Sequence, residues 1–123
     1  MNDPVTMPDV LPNTDLIAHR KALAAAGAAI KLAMRIPAPL KPLADQVIRS
    51  ASSVPANLAE GHGRSGRDRL HFWRIAYASA KEVDSHLRLL AATGAVSPSA
   101  AKAALEGFDQ VRAMTWRLLN PKP

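Results

Sequence analysis

Hydrophobic residues recur with helical spacing in four separate segments of the chain. The first segment carries a heptad-spaced stripe that is expected to face a core, formed by Leu16, Leu23, Ile30, Gly27 and Met34. Alanines surround this stripe and would let a neighbouring helix approach closely. We expect the helix to begin near Thr14, with Thr14 or Asn13 as its cap.

The second segment has a clean pattern at positions i, i+3, i+4 and i+7. Its apolar face consists of Leu40, Leu43, Ala44, Val47, Ile48, Ala51, Val54 and Leu58. Pro55 lies within this helix and cannot donate to the carbonyl of Ala51, which predicts a kink. Three glycines, Gly61, Gly63 and Gly66, predict that the helix ends there.

The third and fourth segments have equally regular apolar stripes. The third stripe is Trp73, Ala76, Ala80, Val83, Leu87 and Leu90, widened by Phe72, and the fourth is Ala101, Leu105, Phe108, Val111, Thr115 and Leu118. Ser65 and Asp68 resemble a capping box for the third helix, and Gly94 ends it. Ser97 followed by Pro98 predicts the start of the fourth helix.

Four helices joined by short links predict an all-α protein, an antiparallel up-down-up-down four-helix bundle. We assign residues 13–120 to this single domain. Residues 1–12 form a proline-rich lead that is expected to be extended or disordered, because prolines recur there every four residues.

The composition of the chain indicates its cellular compartment and the kind of partner that it favours. The chain has no cysteine, no signal-like N-terminus and no apolar run of about 18 residues, so we expect a cytoplasmic protein without a membrane association. Sixteen lysines and arginines against ten acidic residues give a net charge of +6, which favours nucleic acid or another polyanion as a partner.

The sequence offers little for catalysis, for a cofactor or for a metal ion. No Glu-x-x-His motif is present, and the pairs Asp68–His71 and Glu82–His86 are typical of helix surfaces. If the third helix folds back on the second, two residues whose numbers add to about 130 lie at the same height along the two helices. Glu60 and Glu82 would then be about 18 Å apart, too far to share a proton or a metal. We predict no enzymatic activity, no cofactor and no metal site.

The turn between the second and third helices concentrates positive charge. Residues 62–74 contain four arginines and one aspartate, a local net charge of +3. The guanidinium fork suits phosphate, and neighbouring glycines allow close approach of a ligand. We predict phosphate contacts by Arg64, Arg67, Arg69 and Arg74, with Lys31, Arg35, Lys41 and Arg49 as secondary candidates. The alternative is a solvated hairpin tip with no ligand.

Several polar residues lie beside the apolar stripes of the second and third helices. Asn57 and Glu60 are one turn apart on the second helix, and Ser79 and Glu82 are one turn apart on the third. We interpret them as structural groups that satisfy backbone or arginine partners and fix the register. His71 is expected to pair with Glu60.

The segment from Leu43 to Leu90 resembles the four-helix-bundle proteins encoded by intervening sequences of bacterial 23S ribosomal RNA genes. This family includes the accessory variability proteins of diversity-generating retroelements. The positions that carry the resemblance are Arg49, Ser53, Val54, Asn57, Leu58, Ala59, Glu60, Gly61, Gly63, Arg64, Phe72, Ala76, Ser79 and Glu82.

The resemblance implies a bundle that assembles as a ring-like homopentamer with a basic surface and without enzymatic activity. For the retroelement relatives it implies binding to nucleic acid and to a reverse transcriptase. Our leading hypothesis is therefore a nonenzymatic, oligomeric protein that binds the phosphate backbone of RNA or DNA. The competing hypothesis is an interaction scaffold that docks a partner protein, such as a reverse transcriptase, and has no direct nucleic-acid role.

Overall fold

The computed structural model describes residues 16–123. They form α1 (Ile17–Ala33), a short 3-10 helix (Ala38–Leu40), α2 (Lys41–His62), α3 (Gly66–Ala92) and α4 (Pro98–Leu119). α1 and α3 each pack against both α2 and α4, so the predicted four-helix bundle is confirmed. The proline-rich lead and the predicted caps at residues 13 and 14 lie outside the described residues.

The contacts between α2 and α3 fix an antiparallel register. The hydrogen-bonded partners have residue numbers that add to 130–132, close to the level predicted from the sequence. These pairs are Arg69 with the Gly61 carbonyl at 3.1 Å, Trp73 with the Leu58 carbonyl at 3.2 Å, and Ser79 with Ser53 at 2.9 Å. A constant sum over several turns is the signature of two helices running in opposite directions.

The core-facing side of α1 differs from the prediction. Its buried residues are all alanines: Ala18, Ala22, Ala25, Ala26, Ala29 and Ala33. Leu16, Leu23 and Ile30 are only half-buried, Gly27 is exposed, and Met34 is 76% exposed. The small side chains occupy the centre of the interface because they let the helix backbones approach, which leaves the larger ones at its edges.

The other stripes follow the sequence more closely. All six predicted positions of the α3 stripe are buried. On α2, Ile48 lies at the exposed edge of the face, while Ser50 is buried and donates to the carbonyl of Gln46 at 2.8 Å. On α4, Leu105 and Leu118 are half-buried and the other four predicted positions are buried.

Helix ends show which caps operate. The Ser97 hydroxyl accepts from the backbone N–H of Ala100 at 3.1 Å, and Gly94 has a φ of +81°, as the predicted start and stop require. The predicted capping box at Ser65 is wrong. Ser65 is the N-cap of α3 but its side chain makes no capping hydrogen bond, and Asp68 lies instead 3.9 Å from the Arg64 guanidinium.

Gly61 allows the closest approach between α2 and α3. A Cβ atom at this position would lie 2.5 Å from Cδ1 and 2.6 Å from Nε1 of Trp73, and 3.0 Å from the carbonyl oxygen of Arg69. The indole ring is buried and donates to the carbonyl of Leu58. No other residue type fits at Gly61 without moving the ring or the start of α3.

We predict that Gly61→Ala destabilises the bundle by about 1–3 kcal/mol, because overpacking outweighs the better helix propensity of alanine. The free energy of unfolding in urea is the measurement. Gly63→Ala is the matched control, since an added Cβ there meets only carbonyl oxygens at 3.8 and 3.9 Å. Equal stability of the two variants would contradict the proposed tight contact.

Candidate nucleic-acid interface

Arg69 closes the turn between α2 and α3. Its Nε donates to the Gly61 carbonyl at 3.1 Å and its Nη2 donates to the His62 carbonyl at 3.0 Å. The guanidinium carbon also lies 5.2 Å from the centre of the Trp73 ring. These carbonyls are in the last turn of α2, where i+4 helical partners are lacking, so Arg69 acts as a C-terminal cap from the next helix. At Gly61 it adds to the backbone N–H of Arg64, which donates to the same carbonyl at 3.0 Å.

Arg64 is held by groups of the same turn. It bonds Oε2 of Glu60 through Nη2 at 2.7 Å and through Nε at 3.0 Å, and its guanidinium lies 4.9 Å from the centre of the Phe72 ring. Both charged side chains are nearly half exposed. The predicted pairing of Glu60 with His71 is wrong, because Glu60 pairs with Arg64. His71 instead lies edge-on against Phe72.

Arg67 and Arg74 lie on the exposed face of α3 and are free of ion pairs within residues 16–123. Lys81 continues the same face seven residues further on, and its ammonium lies 5.9 Å from the centre of the Tyr77 ring. We call Arg67, Arg74 and Lys81 the α3 basic row. Its members are about 10.5 Å apart along the helix axis, at 1.5 Å per residue.

Sequence reasoning found two members of this row and missed the third. The missed signal was the heptad spacing of the cations themselves, which continues to Arg88. Arg88 differs from the row because it bonds Asp84 at 2.7 Å, and Asp84 also receives Arg112 at 3.4 Å. The unneutralised cations of this series are therefore the three nearer the α2–α3 turn: Arg67, Arg74 and Lys81.

The secondary cationic candidates are dispersed over the surface. Lys41 forms an exposed ion pair with Asp45 at 3.1 Å, whereas Arg49 is exposed in the middle of α2. Lys31 and Arg35 are exposed around the C-terminal end of α1, at the opposite end of the bundle from the α2–α3 turn. Lys31, Arg35 and Lys41 therefore lie away from the end of α3 that carries Arg67 and Arg74.

The polar residues beside the core stripes hold α2 and α3 in register. Nδ2 of Asn57 donates to the Ser53 carbonyl at 2.8 Å and to the Ser53 hydroxyl at 3.0 Å, and that hydroxyl bonds Ser79 across the interface. Glu82 is half exposed and lies 3.3 Å from His86 on its own helix. Ser53 and Ser79 thus join the two helices, Asn57 holds the Ser53 hydroxyl from within α2, and Glu82 belongs to the surface.

His19 of α1 and His62 of α2 form a histidine pair at the end of the bundle that holds the α2–α3 turn. The pKa of His19 is lowered, first because burial disfavours the charged imidazolium and second because His62 is close enough to oppose another positive charge. His19 is half-buried near the start of α1, and His62 is the last residue of α2.

Neither a metal-binding cluster nor a membrane-spanning helix is found in the described part of the chain. Within residues 16–123, histidine and carboxylate side chains do not gather in groups of three or more, as a metal ion would require. The helices of this part of the chain are also too short or too polar to cross a membrane.

We predict that Arg69→Ala lowers the free energy of unfolding by about 1–3 kcal/mol, because two C-terminal carbonyls of α2 lose a charged donor and Trp73 loses its cation. Arg67→Ala removes the same charge two residues away without a bonded partner and is expected to change stability by less than about 0.5 kcal/mol. Urea denaturation measures both. Similar losses in the two variants would refute the capping role.

We predict that His19 makes the fold less stable in mild acid. Its folded-state pKa lies below the unfolded value of about 6.5, so the unfolded chain binds the proton more readily and stability falls as the pH drops through that range. Above it, both states are neutral and the effect vanishes. Melting temperatures at pH 8 and pH 5 should differ less in His19→Gln than in the wild type; an unchanged difference would exclude this contribution.

Comparisons with known proteins agree with the geometry. A crystal structure of a protein of unknown function, from the S23 ribosomal protein family of Bacteroides thetaiotaomicron VPI-5482, superposes with a TM-score of 0.77 at 21% identity. The match covers 84% of this chain and 95% of that one, and it shows the shared fold. No curated protein matches. The family profile of the 23S rRNA-intervening sequence proteins matches residues 14–117, and the chain belongs to this family.

Proposed function

We propose that this protein is a nonenzymatic, oligomeric nucleic-acid-binding protein that contacts the phosphate backbone of RNA or DNA. The observation that carries the proposal is the α3 basic row, in which Arg67, Arg74 and Lys81 are exposed and unneutralised along one helix face. Arg64 and Arg69 have a supporting role, because their guanidinium groups are committed to Glu60 and to the α2 carbonyls.

The charge pattern favours a polyanion over a single small anion. Cations spaced about 10.5 Å apart along a straight helix cannot converge on one phosphate, but they can each meet a different phosphate of an extended chain. Contacts of this type do not read bases, so binding is expected to be weakly sequence-specific and steeply dependent on salt.

Assembly of several copies would strengthen such binding. The family resemblance implies a homopentamer, and several large apolar side chains are available for subunit contacts: Ile17, Met34 and Ile48. Each added copy would present another basic row to the same nucleic acid, which raises avidity without any new type of contact.

We predict that replacing Arg67, Arg74 and Lys81 together by Gln weakens binding to RNA and DNA and makes the logarithmic salt slope shallower by about 2–3, because up to three phosphate contacts disappear. Fluorescence anisotropy across a salt series is the measurement. Light scattering in the same buffer checks that the oligomeric mass is unchanged.

The matched control is the triple Gln variant of Arg20, Lys21 and Lys102. These side chains are also exposed, also lack ion pairs within the described residues, and lie on α1 and α4. An equal loss of affinity in both variants would mean that only net charge matters. Absence of wild-type binding at low salt would refute the proposed function and favour a scaffold that docks a protein partner, such as a reverse transcriptase.

A further inference from the structure

A groove between α3 and α4 combines aromatic rings with positive charge. It has a volume of about 440 Å³ and is lined by Tyr77 of α3, by Asp109, Arg112, Ala113, Trp116 and Arg117 of α4, and by Lys122 beyond α4. Trp116 is 52% exposed although it is one of only two tryptophans in the chain. The other, Trp73, is buried in the contact between α2 and α3.

The polar tips of both aromatic rings are open to a ligand. Neither the Tyr77 hydroxyl nor the Trp116 indole N–H forms a hydrogen bond within residues 16–123, whereas the Trp73 indole N–H bonds the carbonyl of Leu58. Tyr77 is half-buried on α3. The groove therefore presents flat apolar faces and unused hydrogen-bonding groups in the same place.

The charges around the groove favour an anionic ligand. Asp109 is the acidic member of the lining, and it is neutralised by Arg112 at 2.7 Å. Arg117 and Lys122 are exposed and have no acidic partner in the described part of the chain. Lys81 of the α3 basic row lies over the opposite wall, with its ammonium 5.9 Å from the centre of the Tyr77 ring.

We infer that the α3–α4 groove is a base-stacking site for single-stranded nucleic acid. An unpaired base stacks on Trp116 and approaches Tyr77, while the adjoining phosphates meet Arg117 and Lys122 on one side and the α3 basic row on the other. Aromatic platforms beside cations are the general means of binding unpaired strands, because every base offers a π-face. A base inside a duplex is already stacked and cannot enter the groove in this way.

This inference rests on the proposed nucleic-acid role and adds a preference for unpaired bases. The test uses the full-length protein with a fluorescently labelled single-stranded oligonucleotide and with a duplex of the same length. Trp116→Ala should weaken single-strand binding about tenfold or more, as expected for the loss of one stacked base, and should leave duplex binding within about twofold of the wild type.

Trp116→Phe tests directly whether a base stacks on the side chain at this position. This variant keeps an aromatic platform and should retain most of the single-strand affinity. Tryptophan fluorescence should be quenched by the unlabelled oligonucleotide in the wild type and should remain unchanged in Trp116→Phe, where only the buried Trp73 emits. Quenching of equal size in both proteins would overturn the assignment, because the base would then not be on Trp116.

Leu89→Ala is the control for the loss of an exposed apolar side chain, since Leu89 is 51% exposed on α3 and does not line the groove. Unchanged single-strand affinity in Trp116→Ala would overturn the stacking site. If Trp116→Ala instead altered the mass by light scattering and lost duplex affinity as well, the groove would be a subunit contact and the inference would fail. Failure of the wild type to bind either nucleic acid would refute the proposed function itself.

Discussion

The packing of Gly61 against the Trp73 indole is the contact on which the positions of the other groups at the α2–α3 turn depend. It brings the C-terminus of α2 so close to α3 that Trp73 reaches the Leu58 carbonyl and Arg69 reaches the last carbonyls of the helix. A turn closed in this way has few conformations left. The direction of α3 leaving the turn, and with it the line of the α3 basic row, is set by this one close approach.

Competition for guanidinium groups then decides which arginines of the turn can meet a ligand. A helix C-terminus has unbonded carbonyls and a partial negative charge, so it attracts the nearest donor with suitable reach. Arg69 donates to the carbonyls at the end of α2, and Glu60 holds Arg64. Arg67 and Arg74 remain available because their side of α3 faces neither α2 nor an acidic group, which makes the division of roles a consequence of the helix periodicity.

The sequence predicted the helices and the antiparallel register because both follow from periodicity and from short turns. It misplaced the inner face of α1, since Leu16, Leu23 and Ile30 outweigh alanine on any hydrophobicity scale, whereas backbone approach between helices favours Ala22 and Ala29. It could assign the turn a positive charge but could not separate Arg69 from Arg67. The α3–α4 groove was not predicted, because only the fold places Tyr77 of α3 beside the residues of α4.

The interior of the described bundle also supports placing the proposed function on its outer surface. Its buried polar side chains are Ser50, Ser79 and Thr115, and each bonds another protein group: the Gln46 carbonyl, the Ser53 hydroxyl and the Val111 carbonyl. A core of alanine, valine and leucine, with Phe108 and Trp73 also buried and its hydrogen bonds satisfied, draws four helices together and leaves the longer polar side chains and Trp116 on the outside. The charged groups and the Trp116 ring therefore lie on the surface. A long, flexible polyanion is the kind of ligand that can contact both together.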